Sequence, residues 1–293
     1  MAPSDTGFVL RLGRTLVWVL AGLGLLIGIV VTVTHLTTDP LADVRAYYDA
    51  GARLNAGQPL YPADADTNTA EFYRYPPLLA IAFRPLALLP YETAAILWGL
   101  AMAAAFAWTV RRIGLTSNTV LALGLLALPI GWSLAIGQAH VLTTLLVTIA
   151  SPPAVALAAN IKLFPILVAV YWLGRRDWRS LGRLAAWAVG LVVLQFVLEP
   201  TGTLAFIGFS SLEQVGAVNN FSLYAFSPVL WAVAIVIGGV VALLLAPTRW
   251  GWAAAIALST LATPRLITYQ LMGLLPALRR PDESSKLPKP PKP

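Results

Sequence analysis

Apolar runs recur along the chain, separated by polar intervals of very unequal length. Residues 15–33, 92–110, 119–135, 184–198 and 229–245 are nearly unbroken apolar stretches of the length that crosses a bilayer. Two further runs are interrupted. Residues 154–173 read AVALAANIKLFPILVAVYWL, with Lys162 and Pro165 in the middle, and residues 253–278 are split by Pro264 and Arg265. Each half falls well short of the ~17 residues a helix needs to span, so two half-helices meeting at the break suit the lengths better than one. Irregular backbone at that depth is tolerated only inside protein or along a cavity. Residues 141–150 are apolar but short, and Ser151-Pro152-Pro153 turns them. The pattern predicts an all-α polytopic membrane protein with about eight full spans plus short re-entrant or interfacial helices.

The longest polar interval is residues 39–90. Asp39-Pro40 reads as a helix start, with Asp39 as the cap and Pro where no donor is missed. Leu41, Val44, Tyr48 and Ala52 recur at helical spacing, and Gly57 and Pro59 stop the pattern. Asp43 then lies in the first turn, at the positive end of the helix dipole, with Tyr47 on its face. Tyr75-Pro76-Pro77 imposes extended backbone before a second helix start. Residues 78–89 are too short to cross and are expected at the interface. The aromatic residues Tyr47, Tyr48, Tyr61, Tyr73, Tyr75 and Trp98 read most simply as an interfacial belt.

Composition agrees with the pattern: 58% of residues are hydrophobic and 11% charged, which excludes an ordinary soluble domain. The net charge of +7 does not imply nucleic acid, because the basic residues gather at the ends of apolar runs. Fourteen of the twenty Lys and Arg fall at Arg11/Arg14, Arg111/Arg112, Arg175 to Arg183, Arg249 and the tail from Arg279. Under the positive-inside rule these ends are cytoplasmic, which places residues 39–92, Glu199 and Glu213 outside. Residues 1–14 become a cytoplasmic N-terminus, 15–280 the membrane domain and 281–293 a Pro- and Lys-rich disordered cytoplasmic tail. No small-x-small cleavage site follows the first apolar run, so it reads as an uncleaved span of a multi-pass protein of the cytoplasmic membrane. There is no cysteine, and no His/carboxylate set has metal-ligand spacing, so no disulfide, metal or cofactor is expected.

Six cations lie outside the basic clusters, and two of them, Lys162 and Arg265, sit at the interruptions. A cation between apolar half-helices is costly, which favours a function, although snorkelling to the interface is the plainer alternative. The topology brings Asp43, His140, Lys162, Asn220, Ser222 and Arg265 towards one membrane face. Lys162 and Arg265 suit the phosphate of a lipid-linked anion, Arg as a fork and Lys as a point charge. A nearby carboxylate suits proton removal from an attacking hydroxyl. The simpler alternatives stand beside these: Asp43 as a solvated first-turn charge, His140 as an ordinary hydrogen-bonded histidine, and Arg74 and Arg84 as headgroup or structural contacts.

DVRAYYDAG and the following LNAGQPLY, then YRYPPLLAIAFRPLALLP, GQAH at 137–140, KLFP at 162–165 with RRDWR at 175–179, and NNFSL at 219–223 together resemble the family 87 glycosyltransferases. The resemblance runs from about Asp39 to Pro276. It implies the C-type glycosyltransferase fold and a mannosyltransferase that uses polyprenyl-phosphate-linked sugar outside the cytoplasmic membrane with inversion. The acceptor would be a lipid or glycan. Asp43 matches the first-loop carboxylate that serves as base in the family; on the reading of the residues above, Lys162 and Arg265 would bind the donor phosphate, and Tyr47, Gln138, His140, Asn220 and Ser222 would contact substrate. Phe221 stands where the family pattern has Gln, and Gln270 departs from it as well. Two rivals remain: a transporter or flippase of a lipid-linked sugar or anion, and a non-catalytic homologue in envelope assembly.

Overall fold

The computed structural model describes residues 3–62, 69, 72–208 and 220–279, and every regular element among them is helical. The α-helices are α1 Pro3–Thr38, α2 Ala42–Asn55, α3 Pro77–Phe83, α4 Tyr91–Ile113, α5 Ser117–Leu125, α6 Ala127–Ala135, α7 His140–Ile149 and α8 Pro152–Ile161. They continue with α9 Ala169–Gly174, α10 Trp178–Leu198, α11 Pro200–Gly208, α12 Pro228–Leu245 and α13 Gly251–Leu261. Short 3₁₀ segments occupy Leu86–Leu88, Phe164–Val168 and Leu223–Ala225, and a longer one runs over Thr268–Leu278.

Among the described residues four helices are long and apolar enough to cross a membrane: α1, α4, α10 and α12. The expectation of about eight full spans is therefore not met by length. The run at 119–135 is not one straight span, because α5 and α6 meet at 65°. Pro129 explains the bend, since it has no N–H for the carbonyl four residues earlier and crowds the end of α5. Counted as one broken span, the pair brings the total to five. The remaining apolar runs fold as short pieces, α7, α8 and α13 having 10, 10 and 11 residues. At ~1.5 Å per residue each reaches about half of a ~30 Å hydrocarbon core. Both predicted interruptions are present. Lys162 is extended at φ −137°, ψ 125° after α8, and residues 262–267 separate α13 from the last 3₁₀ segment.

The long helix α1 packs on α5 and α6 through small residues. An added Cβ at Gly124 would stand 2.8 Å from the carbonyl oxygen of Ala21, and one at Gly131 would strike the Thr32 hydroxyl. Without a hydrophobic drive between lipid-facing helices, such close backbone approach supplies the attraction. The opposite side of α1 presents Leu16, Leu23, Leu26 and Val30, all exposed.

Asp39 does not cap α2. The helix α1 continues to Thr38, and Asp39 turns back to accept from His35 Nδ1 at 2.8 Å. Leu41 occupies the N-cap of α2 in the left-handed region, at φ 55°. The amides of Leu41 and Asp43 are held by the carbonyls of Ala135 (2.9 Å) and Ile136 (3.1 Å) at the end of α6. Tertiary hydrogen bonding thus replaced the local cap.

Three of the aromatic residues expected in an interfacial belt are packed into the core instead. Tyr47, Tyr73 and Trp98 are buried, and the Tyr47 ring packs edge-on against Tyr75, Phe83 and Trp98. Trp98 Nε1 donates to the carbonyl of Gly137 at 2.7 Å, so the indole polar atom is satisfied without water. The expected tail at 281–293, together with Glu213 and Asn219, lies outside the described residues.

Candidate active site

A cavity of about 680 Å³ opens where the end of α1, the start of α2, the end of α6, the start of α7 and both helix breaks converge. Asp43, Tyr47, Gln138, His140, Lys162 and Arg265 line it, so six of the eight sequence-predicted residues come together. Asn220 and Ser222 do not line it. Asn220 Nδ2 donates to the carbonyl of Pro264 at 3.0 Å, and its Oδ1 accepts from the amides of Leu266 (3.0 Å) and Ser222 (2.9 Å). Asn220 therefore clasps the backbone on both sides of Arg265. Ser222 is buried and caps a 3₁₀ turn through the Tyr224 amide.

Gln138 is the pivot of the acid side. It is 1% exposed, and its Nε2 donates to Asp43 Oδ2. Its Oε1 accepts from the Tyr75 hydroxyl at 2.7 Å and the Tyr47 hydroxyl at 2.9 Å. Burial pushes both phenols above their ordinary range, so they stay protonated and donate. That fixes which end of the amide faces Asp43. Gly137 makes the approach possible: its φ is 69°, and a Cβ there would collide with Val44 on α2.

Asp43 sits in the first turn of α2, partly buried in the cavity wall. Loss of water raises its carboxyl to about 6, against the opposing pull of Lys162 and Arg74. A carboxylate tuned close to neutrality is ionised at working pH yet basic enough to take a proton.

Three cations face it. Lys162 lies past the C-terminal end of α8, where the helix dipole favours a positive charge. Its ammonium stands 5.3 Å from the Tyr75 ring and 5.5 Å from the Tyr269 ring. Arg265 has Nε and Nη1 buried with no hydrogen-bond partner among the described residues. Arg74 donates to the carbonyls of Thr69 and Phe72 at 3.3 Å. Burial, and after it the Arg265 guanidinium, weakens Arg74's hold on its proton. Among the described residues no carboxylate lies within 4.0 Å of Lys162 or Arg265 to pair with either directly. Cations grouped at a cavity with unused donors form a site for an anion.

His140 reaches the cavity but spends Nε2 on the carbonyl of Gln270 at 2.9 Å, tying α7 to the last 3₁₀ segment. Arg74, Tyr75 and Tyr269 were not assigned to the site from sequence. Arg74 lies between Tyr73 and Tyr75 with no apolar interruption to mark it, unlike Lys162 and Arg265.

The match to glycosyltransferase family 87 covers residues 72–268, more than half of the chain. The protein belongs to glycosyltransferase family 87. It is also 32% identical over 164 residues to the polyprenol-phosphate-mannose-dependent alpha-(1-2)-phosphatidylinositol pentamannoside mannosyltransferase of Mycolicibacterium smegmatis. That match covers 49% of this chain and 40% of the relative. No solved structure matches. Within the family 87 span lie Arg74, Tyr75, Gln138, Lys162 and Arg265, whereas Asp43 precedes it and reaches the same cavity only through the fold.

Proposed function

We propose that this protein is a membrane glycosyltransferase that moves a hexose, mannose in the first instance, from a polyprenyl-phosphate donor to a hydroxyl of a lipid or glycan acceptor. The observation that carries the reading is the Asp43 carboxylate, tuned to about 6, sharing one cavity with three cations in a family 87 chain. Asp43 takes the proton from the acceptor hydroxyl, and that oxygen forms its bond to C1 of the sugar. The C1–O bond to phosphate breaks, and its electron pair leaves on the polyprenyl phosphate. Arg74, Lys162 and Arg265 stabilise the charge developing there, the role in which preorganised cations are most effective. Attack opposite the phosphate gives inversion.

Chain direction supports an orientation for the cavity. The helices run from basic ends to the cavity and back: Arg279 donates to the carbonyl of Thr148 near the far end of α7, and Arg175 to that of Ala246 after α12. The positive-inside rule then supports an extracytoplasmic site with both termini cytoplasmic.

Purified protein supplied with labelled polyprenyl phosphate mannose and native lipid extract should form a mannosylated product. Asp43→Asn should bind donor and form none. Full activity in Asp43→Asn would remove the mechanism. Movement of label across a vesicle without a new glycosidic bond would favour a transporter, which the two broken helices with cations also suit.

A further inference from the structure

The same cavity wall holds a second cluster that the transfer chemistry leaves unused: His35, Asp39 and Trp132, with the Trp132 ring edge-on to Tyr269 at 5.8 Å. The His35 ring stacks on the Trp132 indole, with centroids 5.1 Å apart and planes 15° from parallel. Asp39 accepts from His35 Nδ1 with both oxygens, at 2.8 and 3.0 Å, and from the Thr38 hydroxyl at 2.7 Å. The hydrogen on Nδ1 is thereby assigned, and Nε2 is left as an acceptor. Neither His35 Nε2 nor the Trp132 indole N–H has a hydrogen-bond partner among the described residues. The side chains of His35 and Asp39 remain 22% and 44% exposed, so a ligand can reach them.

The backbone is strained to build this wall. Leu41 at φ 55° reverses the chain between Asp39 and Asp43, a conformation a leucine rarely adopts. The amides of Leu41 and Asp43 dock on the carbonyls that end α6, the helix carrying Trp132. The turn therefore presents two carboxylates to one cavity, and Asp43 feels the charge of Asp39.

We infer that His35, Asp39 and Trp132 form the acceptor subsite, and that it takes a neutral polyhydroxylated head such as a sugar rather than an anionic one. This rests on the transfer reading for the word acceptor. A carboxylate, an imidazole acceptor and an indole donor beside aromatic faces match the hydroxyls and apolar face of a sugar. Two neighbouring carboxylates repel a phosphate, which the cationic wall attracts instead. The acceptor hydroxyl then lies on Asp43's side and the donor phosphate on that of Lys162, Arg265 and Arg74, with C1 between them.

The test is equilibrium binding to the full chain in nanodiscs, with methyl dimannoside and decyl phosphate as separate probes, in wild type, Asp39→Asn and Trp132→Phe. Each substitution should weaken the dimannoside about tenfold or more, as expected for losing a hydrogen bond to a charged group in Asp39→Asn or the indole N–H donor in Trp132→Phe, and leave decyl phosphate unchanged. The uronate-bearing analogue of the dimannoside should bind wild type more weakly than the neutral sugar. The inference is overturned if wild type binds no dimannoside, if both variants bind it as wild type does, if both lose the two probes together, or if the uronate binds equally well. Because the readout needs no turnover, absence of transfer alongside the expected binding pattern would sink the transfer reading and leave a neutral-sugar subsite standing.

Discussion

The hydroxyl of Tyr75 donates to Oε1 of Gln138 at 2.7 Å, joining a residue just ahead of α3 to the turn before α7. With Tyr47 sharing the same oxygen, the amide cannot rotate, and its N–H is committed to Asp43. Gln138→Ala should leave the Tyr75 phenol without its acceptor, Tyr47 with only the Tyr75 hydroxyl at 3.2 Å, and Asp43 without its donor. Such orphaned groups cost on the order of 2 kcal/mol or more in total, read as a lowered melting temperature. Gln138→Glu keeps the shape but sets a like charge against Asp43, so the acid limb of the rate profile should move to higher pH.

Asp43 gives a pH dependence of defined sign. Transfer should be lost as pH falls through about 6, where the carboxylate protonates. Stability runs the other way. The folded state holds this proton up to about 6 and the unfolded chain only to near 3.8, so folding becomes less favourable as pH rises between the two values. Asp43→Asn should therefore be more stable than wild type at pH 8, by on the order of 2–3 kcal/mol at most, and the gain should vanish below pH 4. A destabilised Asp43→Asn at pH 8 would show that the ionised carboxylate is well compensated.

Arg265 depends on Asn220. Asn220→Ala removes the clasp on Pro264 and Leu266, and Phe221 N–H to the Leu266 carbonyl at 2.8 Å is left to hold the loop. Donor KM should rise about tenfold, the scale of one or two hydrogen bonds. Acceptor KM should not change. Arg265→Gln should raise donor KM at least as far, and the double variant should add little to it, because the two residues act as a unit.

Gly137→Ala tests the junction directly. A Cβ at φ 69° is strained, and here it also meets Val44. The variant should lose more than about 1 kcal/mol of stability and, by displacing Gln138, much of its transfer rate. An unchanged melting curve would mean that α2 and the Gly137 turn can separate without cost.

The class of the protein was legible because apolar length and basic flanks are local properties of the chain. The breaks at Lys162 and Arg265 were legible for the same reason: a cation or proline inside an apolar run is visible without neighbours. The fate of Asp39, the bend between α5 and α6, and the burial of Tyr47, Tyr73 and Trp98 were not, since each was decided by a partner distant in sequence. The polarity of Asn220 suggests substrate contact from sequence, whereas its bonds serve the backbone around Arg265.

Sequence alone therefore determined an all-helical membrane chain with cations placed at two interrupted runs. Only tertiary structure decided that Arg74 joins them, that Gln138 points its amide at Asp43, and that His35, Asp39 and Trp132 line the same cavity as the cations. The physical reason is that helix formation needs hydrogen bonds four residues apart, whereas a site needs side chains from α1, α2, α6, α7 and both breaks at once. Bringing them together was paid for by the left-handed turn at Leu41 and the bare backbone at Gly137, and neither constraint shows until the helices pack.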